Sequence, residues 1–77
     1  MRKIKQYSLV KFDYNQIPKE YQYHYRSIFK DERLGKFIFF GEIPNMLGHC
    51  IVSGYDTGKI YSGFHIENFI ELTDEEL

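Results

Sequence analysis

Turn chemistry cuts this chain into five short extended runs, and a chain so divided has few ways to bury them. Tyr7 to Phe12, Phe37 to Phe40, His49 to Ser53, Lys59 to Phe64 and Phe69 to Leu72 carry the aromatic, Val and Ile residues that suit a pleated surface. Asp13-Tyr14-Asn15, Gly41-Glu42-Ile43-Pro44-Asn45 and Gly54-Tyr55-Asp56-Thr57-Gly58 separate them. The last offers two glycines for the positive φ of a hairpin turn. In the first run Ser8, Val10 and Phe12 alternate with Tyr7, Leu9 and Lys11, while Phe37-Ile38-Phe39-Phe40 is apolar on both faces. His65-Ile66-Glu67 is too short for a strand and fits one tight 3₁₀ turn.

The stretch from Ile17 to Arg33 reads two ways. As a helix, it has Pro18 at the first helical position, Ile17, Tyr21, Tyr25 and Ile28 near one face with Phe29 beside them, and Gly35 as a stop. As a strand, it alternates Tyr21, Tyr23 and Tyr25 with Gln22, His24 and Arg26. The Pro and Gly punctuation favours a short helix over about residues 18–30.

Five short strands in 77 residues cannot cover two independent sheets. The economical fold is mainly β, one bent sheet closed into a small five-stranded barrel without exposed edges, with the helix in its first long loop. The inner wall falls to Val10, Phe12, Phe37, Phe39, Ile51, Ile60 and Ile70 or their immediate neighbours, since a one-residue shift of register swaps the faces. A domain this small buries only about 60% of its unfolded surface. Its core therefore rests on large side chains, and the seven Phe and seven Tyr supply them. The whole chain, 1–77, reads as one domain, with residues 1–6 and 73–77 as loose ends. Cys50, the one cysteine, rules out an internal disulfide. With no apolar segment after the basic start, this gives the expectation of a cytoplasmic, soluble protein.

The closing stretch Gly63-Phe64-His65-Ile66-Glu67-Asn68-Phe69-Ile70-Glu71-Leu72 resembles the end of a Src-homology-3 domain: Gly, two apolar residues, Pro, any residue, Asn-Tyr, then an aliphatic strand residue. Leu9-Val10-Lys11-Phe12-Asp13-Tyr14 is similar to that family's first motif, and the order of elements matches. The resemblance implies a Src-homology-3-like barrel, with residues 15–35 as its long first loop and a binding face beside Asn68 and Phe69. The family's peptide groove uses a Trp, a Pro and a Tyr; this chain has no Trp, and Ile66 and Phe69 stand at the other two places. The segment from Gly41 to Cys50 is also similar to small bacterial proteins of unassigned function.

Catalytic chemistry finds little to work with. His49 and Cys50 are adjacent, so on a strand they point to opposite faces. His65 has no required approach to Cys50, which reads as a buried structural thiol. His24, His49 and His65 are separated by 25 and 16 residues, without the close pairs of zinc sites. Gly54-Tyr55-Asp56-Thr57-Gly58-Lys59 lacks the spacing of a phosphate loop and leads into a strand. Glu67, Glu71, Asp74, Glu75 and Glu76 read as a solvated acidic tail. The expectation is no enzyme, no metal and no cofactor.

Charge is uneven although its net value is −1: residues 1–36 hold nine of the ten Lys and Arg with four acids, and residues 37–77 hold Lys59 with seven. Tyr14, Tyr21, Tyr23 and Tyr25 sit among Lys19, Arg26 and Lys30. Such interleaving serves packing, where a ring is buried and its hydroxyl stays wet, or a contact surface. The leading expectation is a non-catalytic module binding a macromolecule, foremost a protein, through Tyr14, Tyr21, Tyr25, Arg26, Ile66 and Phe69. Nucleic-acid binding through the basic half, and a homo-oligomer in which the unlike halves meet, are the alternatives. Asn68 is expected to cap the 3₁₀ turn or satisfy loop backbone groups.

Overall fold

Alternation in the first run does set one side of a strand. In the computed structural model, which describes residues 3–76, β1 (Leu9–Phe12) buries Val10 and Phe12 and leaves Leu9 and Lys11 half-covered. It is followed by a 3₁₀ turn (Tyr14–Gln16), α1 (Lys19–Ile28), β2 (Lys36–Glu42), β3 (His49–Gly54), β4 (Ile60–His65), a second 3₁₀ turn (Ile66–Asn68) and β5 (Phe69–Glu71). All ladders are antiparallel, in the order β4-β3-β2-β1-β5. The architecture is mainly β with one short helix, but the sheet is open. β4 and β5 form its two edges and no ladder joins them. β5 has three residues and β4 is interrupted, so neither edge presents a straight run to the other.

That interruption also explains the inner wall of β4. Cys50 faces Phe64 and Ile51 faces Ser62, so Gly63 is an extra residue, with φ +89°. Only glycine adopts that angle without strain, and the bulge resets the alternation. Tyr61 and Phe64, three positions apart, thereby both pack on the core, while Ile60 is 61% exposed. A second bulge at Phe40 bends β2, between Phe39 opposite Val52 and Gly41 opposite Ile51. Val10, Phe12, Phe37 and Phe39 line the core as expected; on β3 and β5 it is the neighbours, Cys50, Val52 and Phe69, that are buried, in place of Ile51 and Ile70.

Edge-to-face rings tie this core together. Phe12 meets Phe69 at 5.3 Å, Phe29 meets Phe37 at 4.9 Å and Tyr61 at 5.1 Å, and Phe37 meets Phe69 at 5.8 Å. Such pairs contribute about 0.5–1.5 kcal/mol each beyond their burial.

The expected helix forms, but it begins at Lys19 with Pro18 as its extended N-cap, one place before the first helical position, and it ends at Ile28, capped by the buried Phe29. Gly35 does not stop it; at φ +65° it closes a later turn, donating to the Glu32 carbonyl before β2 begins. Likewise no side chain caps the second 3₁₀ turn, and Asn68 instead accepts the Asp13 N–H with its carbonyl, joining that turn to the end of β1. Of the expected loose ends, residues 1, 2 and 77 lie outside the described residues. Glu76 is held by Lys11 and by Thr73. No helix among the described residues is long and apolar enough to cross a membrane.

Candidate functional site

One aromatic ring organises the face of α1 that meets the sheet. Tyr25 stacks on Phe12 at 5.0 Å, and Phe12 in turn meets Tyr14 edge-on at 4.9 Å. Gln22 donates to the carbonyls of Tyr14 and Ile17, which fixes the helix to the 3₁₀ turn before it. One turn further along α1, Arg26 places its guanidinium 4.1 Å from the Tyr14 ring centroid. Burial pushes the Tyr14 hydroxyl above its ordinary pKa, against the opposing pull of Arg26.

Beneath this corner lies a cleft of about 330 Å³. Phe12, Phe29 and Phe37 form its apolar base, Tyr14 and Gly35 line it, and Arg26, Lys30 and Arg33 bring three cations to it. Among the described residues the ion pairs are Lys11 with Glu76 and Lys59 with Asp31, so none of these three cations has a carboxylate within pairing distance. Asp31, between them in sequence, is turned to Lys59 at 2.5 Å, and that hydrogen bond holds its carboxyl below the usual range.

Glu32 also lines the cleft, and at 5% exposure it is a buried carboxylate. Thr57 Oγ1 and Tyr61 OH donate to its Oε2 at 2.5 and 2.8 Å, while Oε1 has no hydrogen-bond partner among the described residues. The carboxylate lies flat against Gly54, where a Cβ would collide with it. Asp56 Oδ2 accepts the Leu34 N–H close by. Residues 31–34 are thus clamped to the β3–β4 hairpin, and Glu32 is the buried part of the clamp. Burial, with Glu32 as the second cause, pushes the Tyr61 hydroxyl up to about 12.

The expected contact residues separate into three groups. Tyr14 and Arg26 line the cleft and Tyr25 supports it through Phe12. Tyr21 is 57% exposed and lies outside the cleft lining. Ile66 and Phe69, at 4% and 0% exposure, are core residues, and Ile66 also reaches the lining of a separate cleft beside Phe39 and Phe40. Arg33 and Glu32 were missed. Arg33 belonged to the basic run, but nothing local marks Glu32, whose partners come from a hairpin more than twenty positions away.

Cys50 is fully buried, burial lifts its pKa to about 11, and His49 lies on the strand position next to it with its ring against His65. A second cleft, about 520 Å³, lies where Lys3, Ile4 and Gln6 cross Phe39-Phe40-Gly41-Glu42, with one cation and one anion. Comparison with protein-family models, curated proteins and solved structures finds no match to this chain.

Proposed function

We propose that this chain is a small non-catalytic binding module whose contact surface is the Tyr14–Arg26–Lys30–Arg33 cleft, and that its partner is a protein presenting an acidic segment. The observation that carries this reading is the convergence, on an aromatic-based cleft, of three cations that form no ion pair among the described residues. A carboxylate side chain fits the guanidinium forks, and an adjoining apolar side chain fits the phenylalanine base.

The sheet order, the long first loop and the 3₁₀ turn ahead of β5 support a Src-homology-3-like arrangement. Proline-peptide recognition does not fit it here, because Ile66 and Phe69 are covered and Tyr25 of α1 stacks on Phe12. A nucleic-acid partner is favoured by the exposed Tyr21 and Tyr23 beside Lys19 and Arg26. The seven acids of residues 37–77 oppose it by repelling a phosphate backbone.

Amide shift mapping during titration with a Glu-rich peptide containing one Phe tests the assignment, with a single-stranded oligonucleotide as the comparison. Shifts at Tyr14, Arg26, Lys30 and Arg33 are expected with the peptide, and R26E/K30E is expected to remove them. Shifts confined to β4, or a response to the oligonucleotide alone that weakens steeply with salt, would overturn it.

A further inference from the structure

His49 and His65 are directly opposite one another in the β3–β4 ladder, and their rings stand 4.3 Å apart, centroid to centroid, tilted by 42°. His65 is exposed and His49 half-covered, so both are open to solvent. Nδ1 of His49 lies 3.1 Å from the Leu47 carbonyl oxygen. A carbonyl oxygen can only accept, so this contact places the ring proton on Nδ1 and leaves Nε2 of the neutral ring with a bare lone pair. Metal-ligating histidines are held in the same way: one nitrogen donates to a carbonyl or carboxylate while the other coordinates.

We propose that His49 and His65 form a two-nitrogen site for a divalent transition ion of the zinc, nickel or copper class, with water filling its remaining positions. Imidazole nitrogen suits these ions. Two bonds of about 2.0–2.1 Å at a tetrahedral ion set the nitrogens roughly 3.3 Å apart. The ring centroids are 4.3 Å apart on facing strand positions, and turning the exposed His65 side chain brings its nitrogen toward Nε2 of His49, which keeps its Leu47 contact. Among the described residues no group of three or more His, Cys, Asp or Glu comes together, so the shell stays open, unlike that of a closed structural zinc site. The pair lies apart from the basic cleft, whose lining includes neither histidine.

Zinc chloride titrated into the full chain, followed by calorimetry and by histidine side-chain NMR, tests the site. One saturable ion per chain is expected, with the His49 and His65 ring signals moving together and His24 unmoved. His65→Ala and His49→Gln should each weaken binding by at least about tenfold, the lower end of what losing even an outer-shell partner costs. His24→Ala should leave binding unchanged, and circular dichroism verifies that each variant is folded. Absence of saturable binding, equal affinity in all three variants, or loss in only one of the His49 and His65 variants, which marks one exposed imidazole acting alone, overturns the proposal.

Discussion

Substituting Gly54 by Ala should reverse the sign of its effect according to whether Glu32 is present. In the native background the new methyl enters the space of the Glu32 carboxylate. The backbone at Gly54 lies outside the left-handed region, so the conflict is purely one of space. The carboxylate can swing away only by abandoning Thr57 and Tyr61. Hydrogen bonds to a charged group contribute about 1.5–3 kcal/mol each, and some of that returns as the released groups meet water. Against the loss stands a gain of about 0.5–1 kcal/mol for Ala over Gly inside a strand. G54A alone should therefore destabilise by about 2 kcal/mol, or roughly 8–16 °C in Tm for a domain of this size. In an E32A background the obstacle is gone, and the same substitution should be neutral or stabilising by about 0.5 kcal/mol. Urea denaturation of the four proteins in the cycle, at constant m, gives the coupling directly. If G54A destabilises both backgrounds equally, the carboxylate is not packed where the hairpin needs it, and the clamp between residues 31–34 and β3–β4 is refuted.

Two further outcomes follow from buried groups. The Tyr61 hydroxyl is raised to about 12, so between pH 10 and 12 the folded chain binds more protons than the unfolded one, and stability holds below pH 10 and declines above it; Y61F should flatten that decline in denaturation midpoints measured across the range. Cys50, lifted to about 11 and fully covered, should react with a thiol reagent at pH 8 only as fast as the chain unfolds, so a rate that matches a free thiol in the folded protein contradicts its placement.

Much of the fold was legible because its signals are local. Val10 and Phe12 alternate, Phe37 and Phe39 belong to the one run apolar on both faces, Pro18 precedes the helix, and Gly58, though not Gly54, takes the positive φ expected of the hairpin turn. What failed depends on partners distant in sequence. The bulge at Gly63 breaks the period of two, which is why Tyr61 and Phe64, instead of Ile60, turn inward. The family resemblance directed attention to Ile66 and Phe69 as a binding face, yet both are buried, Phe69 against the rings of Phe12 and Phe37. Tyr14 and Arg26 were found from their basic-aromatic neighbourhood. Nothing in its own neighbours marks Glu32 as buried, and the histidine pair was concealed by a 16-residue gap that the hairpin closes.

The kink at Gly63 has a consequence for crowded surroundings. An unbroken outer strand would present a row of in-line amide and carbonyl groups able to template another chain. Here the inserted glycine puts those groups out of step midway along β4, so a passing extended segment can match one half of the strand but not both. A sheet left open on this side is thereby guarded against growing by accretion.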